Sequence, residues 1–295
     1  MFIPNELKKL VEKPNIIDYR EYFINHLYEI VNKFISDKNM FSEDDFSIYY
    51  YDEFTTSTNC TDDIFSNIYF EIDQPLNYKP EKLSSHRFRL IKNKNKFNIP
   101  ELYFNLTQIK NELYNIMINY FDSNNIIWQD KNSICVKSTI ITESNQTDTV
   151  YYRLIPCFTH FNQKSVRGIF YYYNNEIDIE YPKLAIENYN KKNNETNDLY
   201  RQTVLIFKNI ILKDEKINSL PFEIFETILY NVPSEMFVDD SETTILNILN
   251  FIRNNPIKNF KTIDEQDYAF SSMYRSMSLY YVKHIIKLIE KYVAN

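Results

Sequence analysis

Residues 55–75 read "TTSTNCTDDIFSNIYFEIDQP", and the stretch divides into two pieces. The first is small and polar, a turn built from Thr, Ser, Asn and Asp. The second alternates. Ile68, Phe70 and Ile72 fall on one side and Asn67, Tyr69, Glu71 and Asp73 on the other, the period of a half-buried strand. A turn of this kind feeding such a strand brings the strand's polar side chains close to whatever the turn holds.

Working outward, residues 19–35 carry Phe23, Leu27, Ile30, Val31 and Phe34 at helical spacing, which predicts a long amphipathic helix. "DDFSIYYYDEF" predicts a strand, and residues 99–121 a second long helix. Short strands follow in "SICVKSTII", "TVYYRLIPCF" and "GIFYYY". "DIEYPKLAIENYNKKNN" reads as a loop entering a helix, punctuated by Pro182. From Asp198 onward the pattern is helical to the end. The fold class is therefore α+β, with a core sheet in residues 1–185 and a helical half in residues 186–295. A ligand cleft is expected between them.

Composition bounds the chemistry. Of 295 residues, 44% are hydrophobic and 25% charged, which suits a soluble globular protein. There is one glycine, Gly168, beside 25 Tyr and 22 Phe, a bias that an A/T-rich coding sequence produces. With no other glycine, a Walker-type phosphate loop and a Rossmann fingerprint are excluded. Positions needing positive φ must use Asn, Ser or Asp. The net charge of −7 and pI near 5.3 disfavour a nucleic-acid binder or a protein held on an anionic membrane. The most basic run, "HRFRLIKNKNKF" at residues 86–97, reads as a solvated loop or as a local phosphate contact. Cys60, Cys135 and Cys157 lack CxxC spacing, and His26, His86, His160 and His284 lack metal spacing. No apolar run reaches about 18 residues, so a soluble, cytoplasmic protein is expected.

Five segments in order carry a family resemblance. "TSTNCT" stands where a Gly-Ser turn followed by Thr is usual. "SNIYFEIDQP" matches a Ser-Asp-x-Asp strand that runs on to Pro, and "YYRLIPCF" matches an Asp-x-x-Pro strand. "YPKLAIENYNKKNNETNDLYRQTVLIFKNI" resembles a linker and a helix ending in Lys. "LPFEIFETILYNVP" resembles a Leu-Pro-Ser-x-x-x-Glu helix. Together they resemble the CD-NTases, bacterial nucleotidyltransferases related to cyclic GMP-AMP synthase. The resemblance implies a polymerase beta-like nucleotidyltransferase core with an N-terminal spine helix and a C-terminal helical half. It also implies synthesis of cyclic oligonucleotide signals in anti-phage defence.

The departures fall on the chemistry. The family's two metal-binding Asp appear as Asn67 and Tyr69, its third Asp as Arg153, its turn Gly as Thr56, and the Ser of Leu-Pro-Ser as Phe222. What the resemblance carries over is Ser57 with Thr58 for the turn, Lys208 for the phosphate-contacting lysine, and Glu226 for the helix acid. A neutral Asn is a weak Mg²⁺ ligand, Tyr brings no charge, and Arg brings the wrong one. The expectation is a degenerate member that acts by binding a nucleoside triphosphate, a cyclic oligonucleotide or a protein, and that needs no cofactor. Arg153 then serves either as a phosphate clamp in place of the metals or as the partner of Glu71 or Asp73. The alternative is an active enzyme in a register shifted to Glu71 and Asp73, requiring Mg²⁺ or Mn²⁺. Asp62 and Asp63 are reserve acids or turn residues. Tyr171, Tyr172 and Tyr173 are base-stacking candidates or half-buried strand residues, and Cys157 is a packing residue.

Overall fold

The alternation in "FSNIYFEI" is a strand in the computed structural model of the protein. That structure describes residues 20–38, 46–51, 65–73, 78–84, 87–92, 106–121, 126–130, 132–141, 147–162, 165–173, 176–214, 223–270 and 279–294. Of these described residues, those up to Pro182 belong to one compact unit and those from Lys183 to another.

The first unit opens with α1 (Arg20–Lys38), followed by β1 (Phe46–Tyr50) and β2 (Phe65–Ile72). Next come β3 (Tyr78–Ser84), β4 (Arg87–Lys92) and α2 (Leu106–Tyr120). The remaining strands are β5 (Ile126–Gln129), β6 (Ile134–Ile141), β7 (Thr147–Phe161), β8 (Arg167–Tyr173) and β9 (Glu176–Glu180). Seven of them make one mixed sheet in the order β1-β2-β7-β6-β5, with β8 on the far part of β7 and β9 on β8. Only β2 and β7 run parallel, and their register sets Asn67 beside Arg153 and Tyr69 beside Ile155. The β6 pairing of β7 ends at Leu154 and the β8 pairing starts at Phe158. Pro156, which has no N–H to give, falls in that gap.

The apolar side of β2 builds the core. Ile68, Phe70 and Ile72 are buried with Leu27, Ile30, Val31 and Phe34 of α1 and with Ile109, Leu113 and Met117 of α2. Phe34 meets Phe70 edge-on at 6.4 Å between ring centres. The helical stripe read from residues 19–35 is thus the layer that covers one side of the sheet.

Two expectations are corrected. Part of the basic run expected as a solvated loop is β4, paired with β3 so that Arg89 lies opposite Glu81 and Phe88 opposite Lys82. The "DIE" segment expected as loop belongs to β9, which pairs Glu180 with Ile169 and Asp178 with Tyr171.

The second unit is helical: α3 (Pro182–Glu195), α4 (Leu199–Leu212), α5 (Glu223–Tyr230), α6 (Ser241–Asn254) and α7 (Leu279–Ala294). Pro182 takes the first helical position of α3, where a missing N–H costs nothing. Asp240 caps α6, accepting the Thr243 N–H at 2.8 Å. The positive-φ residues among those described are Ser165, Asn197, Asp198 and Glu265. Three of them are the Ser, Asn and Asp types expected of a chain nearly without glycine. Among the described residues, no helix is long and apolar enough to cross a membrane.

Candidate functional site

The polar side of β2 gathers residues from five strands. Cross-strand register and alternation put Asn67, Tyr69 and Glu71 of β2 on one side with Arg153, Cys157 and Thr159 of β7, Arg167 and Tyr171 of β8, and Glu180 of β9. Tyr49 and Tyr51 join them from the β1 side, where Tyr49 pairs with Tyr69 and Tyr51 N–H donates to the Asn67 carbonyl at 3.2 Å.

At the three positions where the resemblance expects acids, the structure places an amide, a phenol and a guanidinium. Asn67 is half-buried, and its Oδ1 is buried without a hydrogen-bond partner among the described residues. Tyr69 is buried, stacked on Tyr49 at 5.5 Å, with its hydroxyl donating to Glu180 at 3.4 Å. Burial, followed by the charge of Glu180, pushes the Tyr69 hydroxyl well above the ordinary phenol range. It stays a neutral donor. Arg153 is half-buried directly beside Asn67 and across from Cys135.

The alternative acids are held by a residue that sequence reasoning missed. Glu71 is 1% exposed, and its Oε1 accepts from Arg167 Nε at 3.2 Å and Nη2 at 2.9 Å. The same Nη2 donates to Asp73 Oδ1 at 2.9 Å, and Thr159 Oγ1 donates to both carboxylates. Burial alone would lower the Arg167 guanidinium. Its bond to Glu71 and the charges of Glu71 and Asp73 raise it instead. The pairing with Glu71 or Asp73 considered for Arg153 is made in the structure by Arg167. A third acid, Glu180, was also missed, and it accepts hydroxyls from Tyr69 and Tyr171. Alternation carried the signal for both. Arg167 precedes Gly168 in phase with Ile169 and Tyr171, and "EIDIE" alternates Ile177 and Ile179 against its acids. Tyr171 is buried, and Cys157 donates its thiol toward the Phe70 carbonyl at 3.5 Å.

In the helical unit, Lys208 is fully buried and pairs with Glu226 at 3.0 Å. The lysine that the resemblance gives a phosphate contact thus has its ammonium on a carboxylate inside the helical unit. Ser57, Thr58, Asp62, Asp63, Thr56 and Phe222 lie outside the described residues, and so do the side chains of Tyr172 and Tyr173.

Two divalent cations need several anionic oxygens close together. Positions 67, 69 and 153 offer one amide oxygen, a phenol engaged with Glu180, and a fixed positive charge. That donor set does not fit a two-metal centre.

Residues 187–294 match the family model of the cGAS/DncV-like nucleotidyltransferase C-terminal helical domain. A cyclic UMP-AMP synthase of Rhodothermus marinus is 28% identical over 127 residues, covering 41% of this chain and 44% of that protein. Cyclic nucleotide synthase CdnE01 of Staphylococcus haemolyticus is 32% identical over 134 residues, covering 39% and 43%. Each match thus spans under half the relative's length. The structure of the Elizabethkingia meningoseptica CdnE cyclic dinucleotide synthase with GTP and Apcpp superposes with a TM-score of 0.71 at 18% identity, and the match covers 100% of both chains. That likeness is one of fold.

Proposed function

We propose, for a chain that belongs to the CD-NTase family of nucleotidyltransferases, that the old catalytic face works by binding rather than by two-metal chemistry. The observation that carries the reading is the donor set of Asn67, Tyr69 and Arg153 on one face of the sheet. Two divalent cations beside Arg153 would face a repulsion of several kcal/mol, as an order of magnitude. The same guanidinium suits a phosphate-bearing ligand, a nucleoside triphosphate or a cyclic oligonucleotide, which it can bind without metals. A protein partner on the same surface is the other form of this reading, and a role in anti-phage defence or its subversion goes with either.

One observation favours an active enzyme. Glu71 and Asp73 reach a single Arg167 nitrogen at 2.9 Å each, so they are close enough to share a cation. Against it stands the charge already there: Arg167 fills the place a metal would need.

The test is turnover of the four labelled nucleoside triphosphates with Mg²⁺ and then Mn²⁺, beside a Glu71→Gln/Asp73→Asn variant. Neither protein should give a nuclease-resistant product, and nucleotide binding should weaken in Arg153→Ala. Product made by the native chain and lost in the double variant would make it an enzyme of shifted register.

A further inference from the structure

A cavity of about 360 Å³ lies in the helical unit, walled by the last turns of α3, the end of α5 and the 260–268 loop. Its size falls within the span of small-ligand pockets, about 300–1,000 Å³. It shares no residue with the sheet face or with the Lys208–Glu226 pair.

The walls are pinned. Asn231 accepts the Lys261 N–H on Oδ1 at 2.7 Å and donates Nδ2 to the Lys261 carbonyl at 2.8 Å. Asn188 donates to the Ile263 carbonyl at 2.8 Å. Lys192, another wall residue, is already engaged, donating to the Val232 carbonyl with its ammonium over the Phe237 ring. That leaves Lys191 on α3 and Lys261, whose ammonium lies 4.3 Å from the centre of the Tyr268 ring, as the cations able to meet a ligand. The wall's acids are Glu195 and Glu265, and no ion pair among the described residues joins them to these lysines.

Glu265 is out of pattern. Asn197 and Asp198 are types that tolerate the left-handed region, whereas Glu265 sits there at φ 58°. Its Oε1 accepts the Tyr230 hydroxyl at 2.6 Å, which fixes the carboxylate at the cavity wall. Backbone held in a sparsely populated region clusters at ligand clamps and active sites.

The mixed charge narrows the ligand. A bare anion would meet the two lysines and be repelled by both carboxylates, and a simple cation would meet the reverse. A ligand carrying an anionic group together with N–H donors satisfies both sets. A mononucleotide whose base bears an exocyclic amine has this chemistry at this size. We propose that the cavity binds a nucleoside monophosphate with an amino-bearing base, its phosphate toward Lys191 and Lys261 and its amine on Glu265. This inference goes beyond the sheet-face reading and does not depend on it.

The test is calorimetric titration of the full chain with AMP, GMP, CMP, UMP and inorganic phosphate, each separately. Every titration is repeated in an Arg153→Ala background, which removes the sheet-face contact. Variants Lys191→Glu and Glu265→Asn, the latter a residue that keeps positive φ readily, are added to that background. At least one amino-bearing nucleotide should bind there, with UMP and phosphate roughly tenfold weaker or more, and each variant should lose about the same factor. UMP or phosphate binding as tightly would overturn the assignment. So would binding that survives both variants, or no nucleotide binding in the Arg153→Ala background.

Discussion

At Gly168 the chain uses its one glycine where space, not φ, requires it. An added Cβ would lie 2.6 Å from Tyr181 Cδ1 and 2.7 Å from the Glu180 carbonyl oxygen. The ring can move aside, but the carbonyl belongs to β9, whose Glu180 side chain takes the hydroxyls of Tyr69 and Tyr171. Gly168→Ala gains a few tenths to about 1 kcal/mol by restricting the unfolded chain. The clash costs more, about 1–3 kcal/mol. Urea unfolding should therefore show a net loss, and the same substitution made in a Tyr181→Ala background should cost less but not nothing, because the backbone contact remains. An unchanged midpoint would mean that β9 does not press on Gly168. The sequence announced this residue only as a rarity, since the close approach comes from a strand that its loop-like neighbours concealed.

Among the elements, what was legible in the sequence is what periodicity encodes. The period-2 strand at residues 65–72 and the helical stripe of Leu27, Ile30, Val31 and Phe34 both pack as their spacing requires. β4 was hidden because its charges alternate with apolar residues in a run read as solvated, and β9 because Pro182 drew attention to the helix after it. In the candidate site, Asn67, Tyr69 and Arg153 could be placed from motif positions, and the register brings them to one face. Alternation marks the strand faces of Arg167 and Glu180 but not their partners, because ion-pair choice depends on which strands become neighbours. Lys208 and Glu226 illustrate the same limit between α4 and α5: the resemblance gave Lys208 a phosphate contact and Glu226 the place of a helix acid, and packing buries them against each other. Removing one member of such a pair strands the other charge, which typically costs about 3–5 kcal/mol. Lys208→Met and Glu226→Gln should each lower stability on that scale in chemical denaturation, and the double variant by clearly less than their sum. If Lys208→Met weakens nucleotide binding while leaving stability intact, the lysine serves a ligand rather than the helix pair.

For the molecule as a whole, fold and chemistry separate because they use opposite sides of one strand. Ile68, Phe70 and Ile72 pack the sheet against its helices from the side opposite Asn67 and Arg153, and the architecture is shared with a solved structure at 18% identity. Metal response follows from that separation. A site in the folded chain that bound Mg²⁺ with a Kd of about 1 mM would stabilise it by about 1.4 kcal/mol at about 10 mM Mg²⁺. With Arg153 beside Asn67 and Arg167 seated on Glu71 and Asp73, no such gain is expected. Thermal unfolding in EDTA and in Mg²⁺ should give the same midpoint once ionic strength is matched. In Arg167→Gln the Glu71–Asp73 pair loses its counter-charge. That variant should unfold at a lower midpoint in EDTA and regain part of the loss in Mg²⁺ or Mn²⁺. A native chain that itself gains stability from Mg²⁺ would contradict the metal-free reading, and Glu71→Gln/Asp73→Asn would then show whether those two carboxylates hold the ion.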